Sequence, residues 1–185
     1  RRTVMFQITY QTLFLAITLV WIFARVAAAM KQKSFRLKRE LQLIFVYICI
    51  VVVARFTFFP FSKVNGQIQP LVFSWDTAFP FRINWVPFVN LLDYPTRGEI
   101  LINVIGNTAM FIPIGIIWPS VLRSLDTPWK VICAGIGFSL FIEILQLPFF
   151  DRVSDIDDLL LNSLGFLLGY GIYLIVTKAS KKSGA

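Results

Sequence analysis

The stretch that decides the fold is residues 41–61, LQLIFVYICIVVVARFTFFPF, in which Arg55 carries the only formal charge. A hydrocarbon core of about 30 Å requires about 20 consecutive apolar residues in a helix. The stretch has this length, and its apolar residues follow one another without the alternation that is typical of a strand. We therefore expect a transmembrane helix over Leu41–Phe61.

Further apolar runs of similar length lie on both sides of this stretch, at Val4–Ala29, Ile100–Trp118, Trp129–Leu147 and Leu159–Thr177. Charged residues make up only 15% of the chain, whereas a soluble domain has about 25%. The connections between the runs leave little room for a second core. The sequence predicts an all-α membrane protein with five transmembrane helices in one bundle, forming a single domain over residues 1–185.

The basic residues are concentrated in alternate loops. One side of the membrane receives Lys31, Lys33, Arg36, Lys38, Arg39, Arg123, Lys130, Lys178, Lys181 and Lys182, and the other receives Arg1, Arg2, Lys63, Arg82, Arg97 and Arg152. Because the more basic loops usually face the cytoplasm, we expect the N-terminus outside and the C-terminus inside. Membrane lipids with anionic headgroups are sufficient partners for these charges, and no nucleic acid is expected.

The residue inventory excludes several kinds of active site. The chain has no histidine, and its two cysteines, Cys49 and Cys133, lie within predicted helices. Zinc sites of the Cys/His type and nucleophiles activated by histidine are therefore excluded. A disulfide framework is not expected, because it requires cysteines in exposed loops. We expect no cofactor.

Polar side chains within the predicted helices gather near the outer face of the membrane. They are Arg55 in the second helix, Asn103 and Asn107 in the third, Ser139, Glu143 and Gln146 in the fourth, and Asp158, Asn162, Gly165 and Gly169 in the fifth, where the two glycines allow another backbone to approach. An ionisable group in a membrane usually faces the bundle interior. We expect Arg55 and Glu143 to be partners in one pocket, the alternative being polar contacts that only hold the helices together.

The segment 151–158, DRVSDIDD, connects the last two predicted helices and adds Arg152, Asp155 and Asp158 to the expected pocket. One alternative is a capping box, with Ser154 as the cap and Asp157 three residues later. Another is a hard cation bound by carboxylate oxygens, including those of Asp157 and Glu143. The spacing matches no calcium loop, so we expect no metal.

The outer loop at about Ser62–Glu99 is rich in aromatic residues and proline. The alternating residues 81–85 can form a short strand, since their polar and apolar side chains point to opposite faces. We expect a lid over the pocket, carrying Arg82, Asn84 and Trp85. The alternative is simple anchoring of aromatic rings at the headgroup level.

Four motif blocks in the second half of the chain have specific spacings. They read Asn84-Trp85-Val86-Pro87-Phe88, Asn103-x3-Asn107-x3-Phe111-x-Pro113-x-Gly115-x3-Pro119, Ser139-x3-Glu143-x2-Gln146, and Arg152-x2-Asp155-x-Asp157-Asp158-x3-Asn162-x2-Gly165-x3-Gly169. Together the blocks span about residues 82–170, and they resemble the VanZ-like family. The resemblance implies a multi-pass protein of the bacterial cytoplasmic membrane. The namesake of that family lowers susceptibility to teicoplanin and related lipidated glycopeptides.

This resemblance and the polar residues together favour a ligand-binding role in the outer leaflet. The expected ligand is a lipid-linked peptidoglycan precursor or a lipoglycopeptide. The candidate ligand-binding residues are Arg55, Asn103, Asn107, Glu143, Gln146, Arg152, Asp155, Asp158 and Asn162, with Arg82, Asn84 and Trp85 in the lid. Arginines would bind phosphates or carboxylates, and amides would supply directional hydrogen bonds.

Two other classes of function remain open. In the first, a buried carboxyl group such as that of Glu143 is a general acid or base in a hydrolase or transferase that acts on a lipid headgroup or a lipid-linked sugar. In the second, the pocket is part of a transport path, although few polar groups reach the inner half of the predicted helices. The sequence sets no oligomeric state.

Overall fold

A computed structural model describes residues 5–32, 36–59, 64–74, 80–89 and 95–183. Within these residues the chain forms five long α-helices: α1 (Tyr10–Gln32), α2 (Leu37–Phe58), α3 (Arg97–Val121), α4 (Pro128–Gln146) and α5 (Ile156–Ser183). All five are long and apolar enough to cross a membrane. The predicted all-α membrane fold with five spanning helices is therefore confirmed.

Four short strands accompany the helices in the described residues: β1 (Met5–Ile8), β2 (Leu71–Ser74), β3 (Ile83–Asn84) and β4 (Ser154–Asp155). β1 and β2 are antiparallel, with Ile8 opposite Leu71. β3 and β4 are parallel, with Ile83 opposite Ser154 and Asn84 opposite Asp155. The short strand expected within residues 81–85 is confirmed as β3.

The start of the first helix was predicted too early. Residues 5–8, which we expected to be helical, pair with β2 instead. The helix begins at Tyr10, directly after Thr9, whose hydroxyl oxygen accepts a hydrogen bond from the Thr12 N–H at 3.2 Å. A threonine in this position satisfies one of the free N–H groups of the first turn and so fixes the helix start.

Several other helix boundaries lie outside the predicted apolar runs. α2 begins at Leu37 and thus includes Glu40, which pairs with Arg25 of α1. α3 begins at Arg97, where the Thr96 hydroxyl oxygen accepts a hydrogen bond from the Glu99 N–H. α5 begins at Ile156 and continues to Ser183. Hydropathy alone does not detect these turns, since their residues are polar and lie at the helix ends.

The chain divides into two compact units, Arg1–Pro80 with Pro148–Asp151, and Phe81–Leu147 with Arg152–Ala185. The first contains α1, α2, β1 and β2, and the second contains α3, α4, α5, β3 and β4. A single domain with all five helices in one bundle stays a prediction.

The first unit contains an ion pair between two spanning helices that the sequence analysis did not identify. Arg25 donates from Nε to Glu40 Oε2 at 2.8 Å and from Nη2 to Glu40 Oε1 at 2.6 Å. Seven residues earlier in α1, the Thr18 hydroxyl lies 2.7 Å from the Tyr47 hydroxyl of α2. Polar side chains thus connect α1 to α2 along one side.

In the second unit, glycines allow the backbones of α3 and α5 to touch. A Cβ atom on Gly165 would overlap the carbonyl oxygen of Thr108, and a Cβ atom on Gly169 would overlap that of Ile112. Gly115 of α3 lies directly against Gly169. The predicted close approach at Gly165 and Gly169 is confirmed, and α3 is the helix that approaches.

An apolar layer closes the middle of this unit. The ring of Trp118 lies 5.0 Å from that of Phe138 and 6.2 Å from that of Phe166, measured between centroids. Phe111 is fully buried beside Phe138. This layer separates the polar side chains at one end of the unit from the opposite helix ends.

Candidate functional site

Polar side chains of the second unit meet where α3 begins, α4 ends and α5 begins. β4 leads directly into α5, and its parallel partner β3 brings the following residues 85–88 beside the first turn of that helix. The Ser154 N–H donates to the Arg82 carbonyl oxygen at 3.1 Å, which fixes the register of the two strands. Residues far apart in sequence are therefore held at one end of three helices.

Asp155 forms hydrogen bonds with β3, with α4 and with the first turn of α5. Its Oδ1 accepts hydrogen bonds from Asn84 Nδ2 at 3.1 Å and from the Asp157 N–H at 2.9 Å. Its own N–H donates to Glu143 Oε2 at 3.0 Å. α5 begins at Ile156, so Asp155 directly precedes the helix and is the residue that caps it. The alternative of a capping box with Ser154 as the cap is therefore wrong, because Ser154 lies one residue too early.

Asp157 attaches the loop after β3 to α5. Its side chain is only 4% exposed, and its two carboxylate oxygens lie 2.8 and 3.0 Å from the Phe88 nitrogen, which donates to them. Phe88 has a φ of +69°, a conformation that is costly for a bulky residue. A hydrogen bond to a charged oxygen is stronger than a neutral one and offsets this cost.

Asn107 connects α3 to α5. Its Nδ2 donates to Asp158 Oδ1 at 2.5 Å and to Asn103 Oδ1 of its own helix at 3.3 Å. Asp158 also interacts electrostatically with Arg152 and with two other carboxylates, those of Asp155 and Asp157. The two asparagines predicted on one face of α3 therefore do share a site with the acidic segment.

Two buried oxygens lie deeper in the unit than the acidic side chains. Ser139 is 0% exposed and Asn162 is 1% exposed. Within the described part of the chain, neither Ser139 Oγ nor Asn162 Oδ1 has a hydrogen-bond partner. Buried polar atoms are nearly always paired in proteins, so these two atoms on neighbouring helices are candidates for contact with a ligand.

The structure brings most of the predicted site residues into one unit. The network, defined here as two hydrogen-bonded groups, Asn103 with Asn107 and Asp158, and Asn84 with Glu143, Asp155 and Asp157, contains six of them. Gln146 and Asn162 are buried in the same unit, which also contains Arg152. Whether these residues bind a ligand stays a prediction.

The predicted lid contributes in two ways. Arg82 uses its backbone carbonyl to hold β4, whereas Trp85 is 71% exposed and presents an indole ring to the surroundings. Asp157, for which the sequence predicts a role as a cap or a metal ligand and a place in the last motif block, belongs to the network. Its sequence signal was its position in the first turn of α5, but its partner is a backbone N–H 69 residues away, which no local pattern indicates.

Arg55 belongs to the first unit. Its Nη1 donates to the Phe59 carbonyl oxygen at 3.0 Å, and its guanidinium carbon lies 5.7 Å from the centroid of the Tyr10 ring. A cation at the last turn of a helix interacts favourably with the free carbonyl groups there. The pairing of Arg55 with Glu143 stays a prediction.

In the residues that the structure describes, no group of three or more His, Cys, Asp or Glu side chains has the arrangement of a metal site. The candidate carboxylates of Glu143, Asp155 and Asp157 accept hydrogen bonds from backbone N–H groups. These donors orient the carboxylates and occupy part of their capacity as acceptors.

Comparison with known proteins identifies one family. The model of the VanZ/LLP1 family matches residues 43–177, a range that extends from α2 to α5 and contains the whole network. Searches of curated proteins and of solved structures gave no match to the chain.

Proposed function

Since the chain belongs to the VanZ/LLP1 family, we propose that it lowers the susceptibility of a bacterial cell to teicoplanin or a related lipidated glycopeptide. In this proposal the chain is a multi-pass protein of the bacterial cytoplasmic membrane. Its N-terminus is outside and its C-terminus is in the cytoplasm. Five long apolar helices and the unequal distribution of basic residues between the loops support this placement.

The proposed mechanism is the binding of an amphipathic ligand, either a lipid-linked cell-wall precursor or the antibiotic itself. The observation that carries it is the network at the shared end of α3, α4 and α5, with two buried unpartnered oxygens below it. A ligand of this kind has its polar group at the level of the headgroups. The network offers hydrogen-bonding groups at a helix end, where such a headgroup would lie.

Polar contacts that only hold the helices together explain the arrangement less well than ligand binding does. Hydrogen bonds between membrane helices contribute about 0.6 kcal/mol on average. A buried polar atom without a partner costs about 1–3 kcal/mol. Ser139 Oγ and Asn162 Oδ1 would together cancel several of the contacts that the network makes. A binding role gives these two oxygens partners in the bound state.

An exposed apolar surface borders the network and fits the other half of such a ligand. Trp85, Val86 and Phe88 all have more than half of their surface exposed. Asn84 and Phe88 attach this segment to Asp155 and Asp157. Aromatic and apolar side chains at this level pack against acyl chains and headgroups.

The proposal is tested by expressing variants in a bacterium that is susceptible to teicoplanin. We expect Asp158→Ala and Glu143→Ala to abolish the decrease in susceptibility that the unaltered chain confers. Asp126→Ala is a matched control, because Asp126 is an exposed carboxylate in the α3–α4 loop that pairs with Lys130. Membrane levels of each variant are measured by immunoblotting. Full protection by both site variants would contradict the proposal.

A second candidate is a hydrolase or transferase that acts on a lipid headgroup or a lipid-linked sugar. The observation that favours it is that two helices each contribute a carboxyl group to the network, Glu143 from α4 and Asp158 from α5, since two carboxyl groups serve as general acid and base in many enzymes. Mass spectrometry of lipid-linked precursors from cells with and without the protein distinguishes binding from catalysis. Unchanged masses support binding, and a new product supports catalysis.

A further inference from the structure

Side chains of α4 and α5 face each other in three successive layers. In the first layer the ring of Phe166 fills the space above Gly135, where a Cβ atom would overlap it. Side chains four residues apart lie on the same face of a helix. α4 and α5 are joined by a short connection and run in opposite directions. The residue one turn before Phe166 in α5 therefore lies at the same level as the residue one turn after Gly135 in α4. Asn162 and Ser139 therefore form the second layer.

One further turn leads to the third layer, which contains Asp158 and Glu143. The same spacing of four residues places these two carboxyl groups at one level of the facing helices. We call Ser139, Glu143, Asp158 and Asn162 the acceptor ladder. It runs from the helix ends, where Asn107 and Asp155 contact its carboxylates, down to the ring of Phe166, which is 1% exposed.

The acceptor ladder presents mostly hydrogen-bond acceptors. The two carboxyl groups accept hydrogen bonds through both of their oxygens, and a carboxylate that ionises on contact with a cation has no donor and about four acceptor positions. The unpartnered atom of Asn162 is its carbonyl oxygen, and the unpartnered Ser139 hydroxyl can accept as well as donate. The group that complements the ladder must therefore bring several N–H or O–H donors.

The charges next to the acceptor ladder favour a cation. Asp155 and Asp157 add negative charge beside Asp158, and Arg152 is the cation that acts on Asp158. A phosphate or carboxylate placed within the acceptor ladder itself would meet these carboxylates at close range and be repelled. A bare metal ion is disfavoured, since no group of acidic side chains in the described residues has the arrangement of a metal site.

We propose that the acceptor ladder binds a primary ammonium group carried by an amphipathic ligand, with Glu143 and Asp158 contacting its charge and Asn162 and Ser139 accepting its N–H bonds. This inference rests on the proposed ligand-binding function and specifies the chemistry of the headgroup. An ammonium group is a compact charge with three rotatable donors, so it fits a narrow site with acceptors on two facing helices.

The test uses the full chain in lipid nanodiscs that contain equal amounts of phosphatidylethanolamine, phosphatidylcholine and phosphatidylglycerol with identical acyl chains. Native mass spectrometry identifies the lipid that the chain retains. The first two lipids share a phosphate and differ in the N–H donors of the amine. We expect phosphatidylethanolamine to be retained about tenfold more than either of the others, the factor for one charge-assisted hydrogen bond.

Two variants test whether the acceptor ladder causes the preference for phosphatidylethanolamine. Asn162→Leu replaces the buried amide with an apolar side chain of similar size, and Ser139→Ala removes the buried hydroxyl. We expect the preference for phosphatidylethanolamine to disappear in both. Ser120→Ala is the control for the second, because the Ser120 hydroxyl donates to the Ile117 carbonyl oxygen of its own helix at 2.7 Å. The control is expected to keep the preference.

Folding is monitored by thermal unfolding of each variant. Asn162→Leu removes an unpaired buried oxygen, so its unfolding temperature in phosphatidylcholine alone is expected to equal or exceed that of the unaltered chain. Equal retention of the ethanolamine and choline lipids, preference for the glycerol lipid, or an unchanged preference in both variants would overturn the inference.

Competition with free ethanolamine distinguishes two sources of the ammonium group. Displacement of the retained lipid by free ethanolamine indicates that the headgroup alone is recognised, whereas displacement only by an ethanolamine lipid indicates that the acyl chains are also required.

The test is separate from that of the proposed function. A chain that protects cells but has no preference for the amine overturns this inference alone, and a chain with the preference that gives no protection overturns the proposed function.

Discussion

At the scale of single residues, Asp157 and Phe88 show how one hydrogen bond fixes a loop. The buried carboxylate of Asp157 holds the Phe88 N–H, and Phe88 has a positive φ. A bulky side chain adopts this conformation only when its surroundings enforce it. The backbone at residue 88 therefore depends on a side chain in α5.

We predict that Asp157→Ala frees the loop after β3 and lowers the free energy of unfolding by about 2 kcal/mol, as expected for a lost hydrogen bond to a charged group. Hydrogen exchange of residues 84–89 measures the local effect, and we expect the Phe88 amide to lose its protection. Phe88→Gly is the companion variant, since glycine adopts a positive φ without strain. If Asp157→Ala left the exchange of Phe88 unchanged, the role assigned to this carboxylate would be wrong.

A second prediction at this scale concerns Asn107. Its amide donates to both Asp158 and Asn103, so Asn107→Ala removes the contact between α3 and the acidic end of α5. We expect Asn107→Ala to reduce protection against teicoplanin as strongly as Asp158→Ala does. Gln67→Ala is a control in the first unit, where the Gln67 side chain is an exposed amide. Protection is measured as the minimal inhibitory concentration, and equal protection by both variants would contradict a role for Asn107.

At the scale of elements, the contact between α3 and α5 depends on glycine. We predict that Gly165→Ala and Gly169→Ala each lower the free energy of unfolding by about 1–3 kcal/mol, because the new methyl group must push the two backbones apart. Gly171→Ala is a matched control in the same helix, since a Cβ atom there meets nothing within 4 Å. Unfolding in denaturant measures the difference. A cost at Gly171 equal to that at Gly165 would contradict the packing described here.

The pair Arg25–Glu40 makes a corresponding prediction for α1 and α2. Their side chains are 27% and 20% exposed, so each charge depends on the other for compensation. Removing one partner of a partly buried pair leaves an uncompensated charge and costs more than removing both. We expect Arg25→Leu and Glu40→Leu to be destabilising singly and less so together. Purely additive effects in this double-mutant cycle would contradict the interaction.

The elements also show which features could be predicted from the sequence. Runs of about 20 apolar residues fix a spanning helix by themselves, so all five helices were predicted, and the i, i+4 spacing of Asn103 with Asn107 placed both on one face. The pairing of β1 with β2 and of β3 with β4 was missed, because it joins short segments distant in the chain. Arg25 was overlooked as a single charge within an apolar run, although Glu40 across a short loop was available as its partner.

At the scale of the whole molecule, the orientation in the membrane determines which ligands can reach the network. We predict that Trp85→Cys reacts with a membrane-impermeant maleimide in intact cells, whereas Ser124→Cys, in the α3–α4 loop, reacts only after permeabilisation. The native Cys49 and Cys133 are replaced by alanine first, since Cys133 is exposed. The reverse pattern would place the network at the cytoplasmic face and exclude an extracellular antibiotic as its ligand.

The central claim is that the network at the shared end of α3, α4 and α5 binds an amphipathic ligand from the membrane. Native mass spectrometry of the chain purified from bacterial membranes tests this claim most directly. We expect one defined mass to accompany the unaltered chain and the Asp126→Ala control, and to be absent from Asp158→Ala. A chain that carries no such mass, or the same mass in all three proteins, would contradict it.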